Sequence, residues 1–331
     1  MCIRDRIDAD SFVIYDEKHI SWSRDLKLDL QRGHSAQFDT SKLRWSLYRP
    51  FTRQHLFFDR IMNEEVYQFP SFFPTDAAEA ENVVICVPGV GGRTPFWAFA
   101  ANIIANLSLT SLDANQCFPF YTYNEDGTGR RENITDWALA RFRAVYGEPS
   151  GGEITKWDIF HYLYALLHHP VYRQTYAANL RRELPRIPFV RDFWAYARAG
   201  ARLAELHVHY EQQPPYPLTR LENPDQPLDW RVDKMRLSKD RTQMVYNDFL
   251  TLGGIPAAAF DYRLGNRSAL EWVIDQYRVT TDKRSGITND PNRADDPQYI
   301  VRLIGQVVAV SVETVGIVAG LPAWEIMTND E

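Results

Sequence analysis

Short runs of β-branched and aromatic residues, separated by Pro, Gly, Asn or Asp, dominate the first 150 positions: SFVIYD, LRWSLYR, HLFFDR, ENVVICV, PFWAFAA and QCFPFYTY. Runs of this kind predict strands, so this segment is expected to build a small sheet-based lobe. The pattern changes across YGEPSGGEIT. Beyond it, Thr155 and Asp158 make an approximate capping box opening a helix over KWDIFHYLYALLHH, which stops before Pro170. Two more helical patterns follow, VYRQTYAANLRREL and FVRDFWAYARAGARLAELHVHYEQ, the second with Phe193, Ala197, Gly200 and Ala204 on one side. The prolines of QQPPYPL and ENPDQPLDW predict an extended connector, and KMRLS with QMVYN predicts a hairpin. Ser268 and Glu271 cap a helix over ALEWVIDQY, and Pro297 stands near the start of a last one. No internal repeat interrupts this order. The pattern reads as an α+β fold, a sheet-containing N-terminal lobe followed by a mainly helical C-terminal lobe.

Composition supports two lobes, because 331 residues at 45% hydrophobic and 13% aromatic content can bury substantial cores. Cys2, Cys86 and Cys117 give neither a disulfide framework nor a zinc-type spacing, which points to a reducing, cytoplasmic setting. MCIRDRIDAD alternates charge where a secretory leader needs an apolar run. Its first six residues resemble a translated adapter remnant, so they are expected not to be native, and the chain to be a fragment whose upstream part holds the catalysis. The apolar stretch YIVRLIGQVVAVSVETVGIVAG contains Arg302, Gln306 and Glu313, which suits a buried helix better than a membrane span.

Catalytic chemistry leaves little trace. VPGVGGRTPF follows a predicted strand but lacks the lysine of a phosphate loop and a following helix start, so a tight turn between strands is the better reading. His161, His168 and His169, and then His207 and His209, have no carboxylate or cysteine at ligand spacing, so core or surface histidines are expected. There is no G-x-S-x-G elbow, and Cys86 and Cys117 sit in strand-like apolar settings where thiols are inert. An Asn/Asp-Pro-Pro-Tyr/Phe element and a nuclease-type Glu-x-Lys pair are both missing. These residues describe a binder.

Local charge suggests what is bound. The net charge is −6, yet positions 41–60 hold Lys42, Arg44, Arg49, Arg53 and Arg60 against Asp59, interleaved with Trp45, Tyr48, Phe51, Phe57 and Phe58. Seven arginines (Arg173, Arg181, Arg182, Arg186, Arg191, Arg198 and Arg202) face Glu183 and Asp192 in the second island. Two such islands in an acidic chain fit a polyanion groove, although exposed helix faces also carry arginine as solvated charge. A third candidate is RVTTDKRSGITNDPNR, whose Lys283, Arg284, Asn289 and Arg293 are offered by a Gly-containing turn with nearly balanced charge.

Together ISWSRDLKLDLQRG, SLYRPFTRQHLFFDR with NEEVYQFP, QCFPFYTY, ENITDWAL, ITKWDIFHYLYALLHHPVYRQTYAANLRRELPRIPF, GARLAELHVHYE, and YRLGNRSALEWVIDQYRV with KRSGITNDPNR resemble the C-terminal specificity region of type ISP, single-polypeptide type I, restriction-modification enzymes. The resemblance runs from about Ile20 to Pro322. It implies double-stranded DNA as partner. It also implies upstream nuclease, helicase and N6-adenine methyltransferase domains using S-adenosylmethionine, ATP and Mg. No motif of those activities is present, so the fragment is expected to be non-catalytic and without a cofactor of its own. Under this resemblance, residues 1–40 connect from the methyltransferase, 41–150 form a β-rich lobe and 151–331 a helical lobe. Arg49, Arg53, Arg181, Arg182, Arg267, Lys283, Arg284, Asn289 and Arg293 are then the expected DNA contacts. The competing reading is a connector whose basic islands dock other domains of the same polypeptide.

Overall fold

The computed structural model describes residues 9–16, 18, 21–147 and 152–327. MCIRDR, and the expected boundary between residues 150 and 151, lie outside the described residues.

Strand Leu43–Arg49 pairs antiparallel with Thr52–Phe57, placing Trp45 opposite His55, and its other edge pairs in parallel with Ile104–Ala105. Pro50 and Phe51 make the turn. Phe51 takes a left-handed backbone (φ 58°), unfavourable for a residue with a side chain. Its ring is fully buried and meets Phe99 and Tyr210 edge-on at 5.2 and 5.1 Å, so packing holds the turn.

A second sheet has the order Phe99–Ala101, Val84–Pro88, Asn115–Pro119, all antiparallel. Its central strand separates two cores, because alternate residues point to opposite faces. Val84 and Cys86 join one core with Phe99, Tyr246 and Ile304, whereas Ile85 and Val87 join the other with Tyr164 and Tyr196. On the second side lie the paired helices Lys156–His168 and Phe193–Val208. Gly200 makes that pairing possible: a Cβ there would lie 1.8 Å from the His161 carbonyl oxygen.

The other core is closed by a four-stranded antiparallel sheet, Arg236–Leu237, Gln243–Val245, Leu250–Gly253, Thr219–Glu222, and by helix Tyr299–Ala319. That helix is long and apolar enough to cross a bilayer, but 61% of its apolar window is buried inside the protein. It is a core helix.

The α+β class agrees with the sequence reading, as do both capping boxes and the 236–245 hairpin. Four details differ. SFVIYD is not a strand, since Ser11 and Phe12 end the short helix Ala9–Phe12. The pattern after Pro170 breaks into Pro170–Thr175 and Ala177–Leu180, with Tyr176 leaving helical geometry between them. Helix Asp136–Tyr146 stands within the segment expected to be β-rich, capped by Thr135 and ended by Gly147 at φ 66°. The second half also carries more sheet than a single hairpin, because the connector strand Thr219–Glu222 pairs with Leu250–Gly253.

Candidate nucleic-acid interface

The first basic island is consumed inside the protein. Lys42 pairs with Asp59 (2.6 Å), buried Arg44 with Asp76 (3.0 Å) and Glu79, and Arg60 with Glu125. Arg53, expected at a phosphate, has another use. Its Nη2 donates to the Val208 carbonyl (3.2 Å) at the end of a helix, its Nη1 lies 3.7 Å from Glu211, and its guanidinium stacks on Tyr210. Arg49 lies over the Tyr48 ring and donates to the carbonyls of Tyr48 (2.8 Å) and Ser108 (3.0 Å), tying its strand to the 107–114 loop. Apart from Asp59, the acids that pair with this island lie outside it in the chain, where a window count cannot register them.

Part of the second island is spent similarly. Arg186 pairs with Glu183, Arg191 with Glu325, and Arg202 with Glu205 and Glu313. Arg181 and Arg182 differ: both are exposed, and among the described residues their side chains have no partner. Their backbone meets the glycine loop, since the Gly91 N–H donates to the Arg181 carbonyl (2.9 Å). The loop itself spans residues 89–98 and is no tight turn. It presents Arg93, paired with Asp113 at 2.8 Å and missed by the sequence reading, and Thr94.

Thr94 leads to the next element. Hairpin strands Arg263–Leu264 and Arg267–Ser268 are joined by Gly265 and Asn266, with Gly265 at φ 67°, the positive value a primed two-residue turn requires. A Cβ on Gly265 would lie 3.5 Å from Thr110 and 3.6 Å from Thr94, so this turn packs on the two loops. Trp272 holds it from beneath by donating its indole N–H to the Leu264 carbonyl (3.0 Å). Arg267 lies over the Trp272 ring and pairs with Asp275 (3.0 Å), which also meets Arg278 (3.4 Å). Loops distant in sequence thus form one band from Arg181 to Arg278.

Beyond Arg278 the chain projects as a two-stranded ribbon, Thr280–Thr281 paired with Thr288–Asn289. Asp282 shapes its tip by accepting from the N–H groups of Arg284 (2.9 Å) and Ser285 (2.8 Å), and Gly286 takes φ 73°. Almost every residue of the ribbon is exposed, Ile287 to 66%. Lys283 has no partner among the described residues, and Asn289 faces solvent. A ribbon this thin, exposed on both faces, has the form that a DNA major groove admits. Arg293 falls outside it, half-buried with its guanidinium 3.3 Å from the Tyr299 ring centre.

The histidines fold inward. His207 Nε2 meets Thr314 Oγ1 (3.0 Å), Tyr262 stacks on its ring at 4.9 Å, and the His168 ring lies 5.6 Å away. Burial drives His168 down to about 3 and His207 well below the usual imidazole range. Among the described residues, no group of three His, Cys, Asp or Glu could hold a metal ion. Cys86 and Cys117 face each other across the sheet with their sulfurs 3.4 Å apart, and both are buried.

Residues 3–303 match the family described as the Type ISP C-terminal specificity domain. The chain belongs to that family. Three solved structures are similar to this specificity domain. The nuclease-deletion mutant of the Type ISP restriction-modification enzyme LlaGI, in complex with a DNA substrate mimic, is 34% identical over 96% of the chain, with a TM-score of 0.82. The ATP-dependent Type ISP enzyme LlaBIII, bound to DNA, is 30% identical over 94% of the chain, with a TM-score of 0.84. The DrdV–DNA complex is 40% identical over 97% of the chain, with a TM-score of 0.84. The specificity domain spans 28%, 20% and 32% of those three chains, respectively. No curated protein matches it.

Proposed function

We propose that this specificity domain recognises a double-stranded DNA sequence. In doing so it directs an N6-adenine methyltransferase and an ATP-dependent translocase-nuclease of the same polypeptide, working in the cytoplasm. The observation that carries the reading is the projecting 280–289 ribbon, set beside a band whose Arg181 and Arg182 have no internal partner. Phosphate contacts fix register, and base-edge contacts supply specificity. Arg181 and Arg182 suit the first task. Lys283, Arg284 and Asn289 suit the second, being offered on a ribbon of groove dimensions. Arg267 can turn from Asp275 to a phosphate, because its side chain is 45% exposed and an ion pair near the surface is worth about 0–1 kcal/mol. The enzymes named in the three similar complexes were captured with DNA or a DNA mimic, which supports the same reading.

A salt series of duplex binding tests this. Affinity is expected to fall steeply with salt, and Arg181→Ala with Arg182→Ala to flatten the log–log slope by about 0.9 per lost contact. Absence of duplex binding at low salt would favour the connector reading. That reading draws on the exposed apolar face where Leu43 and Trp45 are 47% and 42% exposed and Phe38 is 76% exposed.

A further inference from the structure

A cavity of about 360 Å³ lies between the glycine loop and the helices Pro170–Thr175 and Ala177–Leu180, within the size range of small-ligand sites. Its polar lining is Thr94, Gln174, Arg173 and Arg181, and no carboxylate borders it. Arg173 is the unusual member. Its side chain is only partly exposed: Nε donates to the Leu167 carbonyl (2.6 Å), and Nη2 is shut from solvent with no hydrogen-bond partner. Among the described residues it has no ion pair. Burial lowers its pKa to about 10, against the opposing pull of the Tyr262 and Tyr164 phenols, so the group is still a cation at neutral pH.

A cap on the last turn of helix Lys156–His168 explains the Leu167 contact, and that contact uses one of five guanidinium N–H donors. It does not account for the buried, unpartnered Nη2 of a cation that has no counter-ion among the described residues, an arrangement proteins normally avoid. The second arginine, Arg181, is exposed, and its backbone is fixed to the loop by Gly91.

We propose that this cavity seats a phosphate group, bound by Arg173 and Arg181. A DNA phosphodiester and a free phosphate share the chemistry. The DNA source rests on the function proposed above, but the seat itself does not. The test is thermal melting of the 331-residue chain in sodium phosphate and in sodium chloride of equal ionic strength. A saturable rise in Tm specific to phosphate is expected, its half-point about tenfold higher in Arg181→Ala, as loss of one charge-assisted contact implies, and the rise is lost in Arg173→Gln. Should Arg173→Gln fail to fold, the exposed Arg181→Ala decides. Identical melting in the two salts, or a wild-type phosphate response in Arg181→Ala, would overturn the seat. A duplex that abolishes the phosphate response identifies a DNA phosphodiester as occupant, and additive responses identify free phosphate. Duplex binding without any phosphate response rejects the seat and leaves DNA recognition standing. A phosphate response without duplex binding does the reverse.

Discussion

Replacing Arg53 by Ala separates a structural from a nucleic-acid role at the position where the sequence most invited the latter. The side chain bonds the Val208 carbonyl at the C-terminus of helix Phe193–Val208, approaches Glu211 and stacks on Tyr210. Losing a hydrogen bond from a charged donor costs about 1.5–3 kcal/mol, and losing a partly desolvated cation–π contact about 0.5–2 kcal/mol. The Glu211 pair adds little, being long at 3.7 Å and partly exposed, and Glu211 keeps the Tyr299 hydroxyl at 2.8 Å. The sum is a destabilisation of about 2–5 kcal/mol, well beyond an ordinary surface substitution. Urea unfolding of both proteins measures it as a lower midpoint at constant m-value. The salt slope of duplex binding should not change. Wild-type stability combined with a slope flattened by about one unit would refute the reasoning and return Arg53 to the phosphate backbone.

Gly200→Ala should abolish cooperative folding or depress Tm severely, because its Cβ would collide with the His161 carbonyl at 1.8 Å; an unchanged melting curve would contradict the close helix pairing. Lys283→Ala should leave Tm unchanged and reduce discrimination between cognate and altered duplexes by about 1–3 kcal/mol if the side chain reads a base; binding competition measures this, and equal loss on every sequence would remove it from the readers. Acid should destabilise the fold through His168 and His207, whose native pKa values lie below the unfolded value of about 6.5. The unfolded state then binds more protons as pH falls from about 6.5 towards about 3, costing up to about 1.4 kcal/mol per pH unit per histidine; denaturant titrations on His168→Gln should show a shallower decline. The chain alone should neither methylate DNA nor hydrolyse ATP, and turnover above a protein-free control would contradict this.

What was legible in the sequence is what is encoded locally. Thr155 with Asp158 and Ser268 with Glu271 form capping boxes because both partners lie within one turn. Leu43–Arg49 forms a strand over the run that predicted it. The charge islands were legible only as counts. Their meaning depends on acids such as Glu79, Glu125 and Glu211, brought in by tertiary packing. Arg181 stands beside the glycine loop through one backbone hydrogen bond, and Gly265 reaches Thr94 through packing, so neither contact has a sequence signal. Gly89, Gly91 and Gly92 did mark an irregular segment, but nothing in their spacing told a tight turn from a ten-residue loop at the centre of the band. The 280–289 turn chemistry was readable from Asp282 and Gly286, whereas its projection into solvent was not.

Sequence-specific recognition is tested most directly by selecting bound duplexes from a randomised pool with the wild-type chain and with the Lys283→Ala and Asn289→Ala variants. A single enriched consensus that loses definition at particular positions in the ribbon variants is the predicted result. A pool that stays random while duplexes are still retained, or a consensus untouched by both substitutions, would contradict base reading by the 280–289 ribbon.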